Sequence, residues 1–95
     1  SIGLPAFQDL NQHVFHLFVI RSNRRNELKD YLYKNGIETL IHYPIPIHKQ
    51  LAYKDISNCV LPLTEQIHIE VLSLPLNTAL TKNQISNIVS VINMF

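Results

Sequence analysis

One cysteine, two glycines and no tryptophan stand in a chain of 95 residues, and each shortage removes a class of function. With Cys59 alone there is no disulfide framework and no cysteine-based zinc site, and a reducing cytoplasm is the expected home. With only Gly3 and Gly36, neither GxGxxG nor GxxxxGK[ST] can be written, so the glycine-rich phosphate cradles are excluded. Charge is sparse: eight Lys and Arg stand against seven Asp and Glu, and Arg21, Arg24 and Arg25 form the one basic cluster. That is a solvated turn rather than a stripe, so nucleic acid is not an expected partner. The apolar runs are too short to span a bilayer and no signal-peptide pattern is present, so a membrane is not expected either.

What is present is apolar. Hydrophobic residues make up 46% of the chain, which predicts a folded unit and argues against disorder. A single domain over residues 1–95 of this size buries roughly 60–70% of the surface its unfolded chain exposes. The apolar fraction is high for so small a unit, and part of it is expected to lie against something else. The opening "SIGLPAFQDL" reads like mid-protein sequence, and the chain is expected to be a piece of a longer one.

Residues 1–12 show no period and are read as irregular. "HVFHLFVI" at 13–20 is a β-branched and aromatic run, predicting a strand covered on both faces. On that strand His13 and His16 would point to opposite faces in structural roles. Ser22 or Asn23 offers a helix N-cap, Leu28, Tyr31 and Leu32 give the helical spacing, and Gly36 is placed to close the helix in the left-handed conformation. "IETLIHY" then alternates, with Ile37, Thr39, Ile41 and Tyr43 on one face and Glu38, Leu40 and His42 on the other. Pro44 and Pro46 end that strand in a stiff extended exit, followed by a short helical turn and loop to residue 60. A helix is predicted from Pro62, with Leu63, Ile67 and Val71 as its stripe. "LSLPL" is a short strand that Pro75 ends. "TKNQ" at 81–84 is a capping box, and Ile85, Ile88, Val89 and Ile92 behind it form the best helical stripe in the chain. The order predicts a two-layer α+β sandwich of about three strands with helices packed on one face.

The five histidines raise a metal site, but no HExxH motif occurs and no carboxylates cluster beside His42 and His48, so no metal is expected. No GxSxG elbow surrounds Ser73 and no histidine adjoins Cys59 in sequence, so the chain holds no complete catalytic constellation. That leaves His42, Tyr43, Pro44, Pro46 and His48, with Tyr53 nearby. Two readings stand: a rigid turn whose rings are internally satisfied, or a ligand wall whose imidazole and phenol meet sugar hydroxyls or phosphate oxygens.

The run "HVFHLFVIRSNRRNELKDYLYKNGIETLIHYPIPIHKQLAY", followed by "LPLTEQIHIEVLSLPL", resembles the C-terminal domain of the DegT/DnrJ/EryC/StrS family. These are pyridoxal-phosphate (PLP)-dependent sugar-nucleotide aminotransferases of the aspartate aminotransferase fold type. The resemblance implies a parent enzyme that converts a keto sugar nucleotide and L-glutamate to an amino sugar nucleotide and 2-oxoglutarate, for amino-sugar or surface-polysaccharide biosynthesis. A large N-terminal domain, outside these residues, would bind PLP and supply the cofactor lysine. None of Lys29, Lys34, Lys49, Lys54 or Lys82 lies in a matching context, so the 95 residues alone are expected to bind no cofactor tightly and to be inactive. By the same resemblance His42 and Tyr43 would face the sugar, His48 would be a weaker substrate contact, and Pro44 and Pro46 would hold the turn. The active site would often be completed by a second subunit of a homodimer. Gly36, Leu72, Ser73 and Pro75 match the family as scaffold. The alternatives are a catalytically silent sensor or regulatory relative, decided by the upstream lysine, and a stand-alone α+β protein-interaction module.

Overall fold

A computed structural model describes residues 1–95 apart from the side chain of Leu10. Strand β1 is Ile2–Gly3, β2 is Phe18–Ser22 and β3 is Val71–Leu74, in the antiparallel order β1-β2-β3. Helices α1 (Arg25–Lys34), α2 (Pro62–Glu70) and α3 (Lys82–Asn93) complete the regular elements, with short 3₁₀ turns at Ile47–Lys49 and Leu51–Ile56.

The register sets the two faces of the sheet. Phe18 opposes Leu74 and Ile20 opposes Leu72, so these four side chains share one face. Val19 opposes Ser73 and Arg21 opposes Val71, which puts those four on the other. Against the first face pack Leu28 and Leu32 of α1, Ile37, and Val91 of α3, making a core of Ile20, Leu28, Leu32, Ile37, Leu72 and Val91. The α+β sandwich with a three-stranded sheet is therefore present as expected. The second face is the one that carries the candidate site.

Several local signals hold. Leu28 and Leu32 are fully buried, and Gly36 closes α1 at φ +75°, a conformation that glycine reaches without a Cβ penalty. The capping box forms: the Gln84 N–H donates to Thr81 Oγ1 at 3.3 Å, and the Thr81 N–H donates to Gln84 Oε1 at 2.9 Å. Strand β3 stops before Pro75.

Other expectations are corrected. Residues 1–12 are not wholly irregular, since Ile2–Gly3 pairs with Arg21 and Ser22. The run 13–20 is a strand only from Phe18. In the observed register residue 17 would face Pro75, but β3 ends at Leu74 and the ladder ends with it. The chain turns instead at Phe15, φ +46°, and Val14 is 95% exposed. His13 and His16 therefore do not face opposite sides of a strand; the His13 ring stacks on Phe15 at 4.0 Å, and its Nδ1 accepts the Phe15 N–H at 2.9 Å.

Residues 37–43 make one isolated bridge, Leu40 to Ser73, rather than a strand. The next bonded pairs on either side would need donors from Pro75, which has none, and from Val71, whose N–H already bonds the Ile67 carbonyl at the end of α2. The predicted alternation still shows in Ile37, buried, and in Glu38 and Leu40, exposed. Neither Ser22 nor Asn23 is the N-cap of α1; that position is Arg24, whose N–H donates to Ser22 Oγ at 3.1 Å. The stripe assigned to α2 also fails, because Val71 belongs to β3 and Leu63 is 70% exposed. Of the α3 stripe, Ile88 and Ile92 meet the core, while Ile85 and Val89 line an apolar groove with Phe18, Leu74, Leu76 and Leu80.

Candidate functional site

The single bridge at Leu40 brings the following turn to the second face of the sheet. The Leu40 N–H donates to the Ser73 carbonyl at 3.2 Å, and the Ser73 N–H donates to the Leu40 carbonyl at 2.8 Å. Two residues on, His42 Nδ1 lies 2.9 Å from Ser73 Oγ. The peptide between His42 and Tyr43 is cis, and their rings meet edge to face with centroids 5.7 Å apart. Tyr43 is 69% exposed, so its phenol is free to meet a ligand.

Beyond Pro44 the turn is held by its own backbone and by one buried ring. The Lys49 N–H donates to the Pro46 carbonyl at 2.9 Å, and Gln50 Nε2 donates to the Ile45 carbonyl at 3.2 Å. His48 is 4% exposed, and its Nε2 lies 2.9 Å from Glu65 Oε1. A carboxylate only accepts, so the His48 Nε2 carries the proton. Glu65 also accepts the Leu61 N–H at 3.3 Å, near the start of α2, where a negative charge is favoured. The pair fastens the proline turn to that helix.

Tyr43 and His48 both line a cleft of about 390 Å³, with Ile45, Ile47, Leu61 and His68 among its other walls. The structure thus brings His42, Tyr43 and His48 to one turn, two of them accessible and the third inside. Tyr53 does not line the cleft. Sequence reasoning missed Glu65 and the contact made by Ser73, partners 17 and 31 residues from the histidines they meet. No local spacing signals such pairs. Among the described residues, no three of His, Cys, Asp and Glu gather as a metal site. No helix among them is long and apolar enough to cross a membrane.

The Glu65 carboxyl is held below the ordinary carboxylate range, chiefly by the hydrogen bond from His48 and next by the Leu61 N–H. A carboxyl whose folded value lies below its unfolded value of about 4.3 contributes its full stabilisation above that pH and loses it as pH falls through the folded value. Denaturation midpoints taken across the range of about pH 3 to 6 should therefore fall on the acid side, and Glu65→Gln should flatten that part of the profile. An unchanged acid limb in Glu65→Gln would show that the pair does not hold the fold.

These features define a small α+β unit that presents a stiff, histidine-bearing turn from the edge of its sheet. The chain belongs to the DegT/DnrJ/EryC1/StrS aminotransferase family, whose sequence profile matches residues 2–93. It is 43% identical, over 94 residues, to a dTDP-3-amino-3,6-dideoxy-α-D-galactopyranose transaminase of Aneurinibacillus thermoaerophilus, covering 99% of this chain and 26% of that protein. The structure of S. venezuelae DesV in complex with a ketimine intermediate superimposes with a TM-score of 0.87 at 36% identity, over 99% of this chain and 26% of that one. NtdA of Bacillus subtilis, solved with bound cofactor PMP, gives 0.85 at 29% identity, over 98% of this chain and 22% of that one. The chain spans about a quarter of the length of these relatives.

The side chains gathered at the turn do not fit a PLP site. Such a site needs a free amine and a cradle of donors for the phosphate. The cleft is lined by no lysine or arginine. Lys49, the nearest lysine in sequence, donates to the carbonyls of Ser57 and Cys59, each at 3.2 Å, and lies 3.7 Å from Glu65.

Proposed function

We propose that these 95 residues are the C-terminal small domain of a PLP-dependent sugar-nucleotide aminotransferase, and that the turn at His42–Tyr43 forms the wall of its substrate site. The parent enzyme takes a keto sugar nucleotide and L-glutamate and returns an amino sugar nucleotide and 2-oxoglutarate. It works in the cytoplasm as a homodimer, with the cofactor bound by the larger N-terminal domain, where it supplies an electron sink. The observation that carries this reading is membership of an aminotransferase family along nearly the whole chain, joined to a turn with an open imidazole and phenol.

The work of these residues is to position the sugar. Imidazole and phenol hydrogen-bond hydroxyl or phosphate oxygens, and the two rings at 82° offer an edge and a face to a pyranose. Pro44 and Pro46 keep the turn in one conformation, so little ordering is lost when the substrate arrives. His48 holds the turn from inside through Glu65. Lacking a cofactor lysine and phosphate cradle, the 95 residues alone neither bind PLP tightly nor turn over.

The absorbance of the full-length protein, recorded before and after adding glutamate, tests the reading. A yellow cofactor band that shifts on adding glutamate is expected. A colourless protein that ignores added PLP would overturn the reading in favour of a silent relative or an interaction module.

A further inference from the structure

Ser73 stands out among the residues that the proposed function leaves without a task. It is 4% exposed, its backbone makes both bonds of the Leu40 bridge, and its hydroxyl meets His42 Nδ1 at 2.9 Å. A serine hydroxyl has one proton and two lone pairs. Were Nδ1–H to donate to Oγ, the buried serine proton would be left without an acceptor among the described residues. With the hydroxyl donating to Nδ1, only lone pairs go unfilled, which is the cheaper arrangement in a buried setting. Neutral His42 then carries its own proton on Nε2. That atom has no hydrogen-bond partner among the described residues, yet the one buried unpartnered side-chain polar atom found there is Thr39 Oγ1. Nε2 is therefore open to solvent.

We propose that Ser73 is a positioning residue of the substrate site: it fixes the plane and the tautomer of His42 so that Nε2–H is presented to an acceptor oxygen of the ligand. This rests on the reading of His42 as a substrate contact and adds which atom acts and in which sense. The ligand atom met there is a keto, hydroxyl or phosphate oxygen, not a donor such as an ammonium group. The bridge at Leu40 and the bond at His42 act together, one setting the height of the turn on the sheet and the other the rotation of the ring.

The test uses the full-length enzyme in four forms: wild type, His42→Ala, Ser73→Ala and the double variant. ¹⁵N and ¹³C shifts of labelled histidine, with His42 assigned by its loss in His42→Ala, report the tautomer without any substrate. The expected result is Nε2–H in wild type and a mixture in Ser73→Ala; Nδ1–H in wild type overturns the proposal whatever the enzyme does. The half-reaction is then run in reverse with dTDP-3-amino-3,6-dideoxy-α-D-galactopyranose as probe. Ser73→Ala should raise the KM for the probe about fivefold, leave the glutamate half-reaction unchanged and be rescued in part by Ser73→Thr. In the His42→Ala background it should add nothing, because the two side chains act as one unit. If His42→Ala impairs the probe and Ser73→Ala adds its full effect on top, the Ser73 hydroxyl acts by a route that does not pass through His42 and this proposal falls by itself. If His42→Ala leaves the probe KM unchanged, the assignment of His42 falls and takes this proposal with it.

Discussion

His42→Ala in the full-length enzyme should raise the KM for the sugar nucleotide by about 10- to 100-fold, from the loss of one hydrogen bond to a polar or charged oxygen together with ring contact. The half-reaction with glutamate should change far less, since glutamate brings no sugar to this wall. The asymmetry follows from geometry: Nδ1 is tied inward to Ser73, so what the mutation removes from the ligand is the outward edge of the ring. Steady-state kinetics with each substrate varied in turn checks it. Equal damage to both halves would assign His42 to the architecture of the turn.

Leu72→Ala should cost about 2–5 kcal/mol of folding free energy, read as a shift in the denaturation midpoint. Leu72 is fully buried on the core face of β3 and opposes Ile20, itself fully buried, across the sheet. The truncation leaves a cavity between sheet and helices that neither layer can close without moving the other. Total stabilities of small domains run to about 5–15 kcal/mol, so this one change removes a large share. Leu63→Ala is the matched control: its side chain is mostly exposed on α2, and a shift within about 0.5 kcal/mol is expected.

How far the sequence could be read depended on the range of the interaction in question. Gly36 and the box at Thr81–Gln84 were legible because a left-handed residue and a reciprocal cap are decided within four residues. β3 was legible because Pro75 marks its end locally. The run at 13–17 misled because its β-branched and aromatic residues report a preference for strand, not the presence of a partner, and β3 ends at Leu74 before it could supply one. The same held at 37–43, where the alternation was right for Ile37 through Ile41 but the donors for a full ladder were absent or already engaged. At the site, His42, Tyr43 and the prolines could be picked out from composition and family likeness. That His48 lies inside, and that Glu65 and Ser73 hold the two histidines, depends on pairings set by the sheet and by α2.

Between Tyr43 and Leu61 the chain buries one side chain, that of His48. These nineteen positions, seven of which line the cleft beside the proposed sugar site, are thus almost uncoupled from the core on the far side of the sheet. Drift along this stretch, His48 and the prolines apart, leaves folding nearly untouched while it reshapes what the wall can recognise. Such a division lets one scaffold diversify toward different sugars without renegotiating its stability, and it marks residues 43–61 as the place to randomise in a search for altered substrate preference.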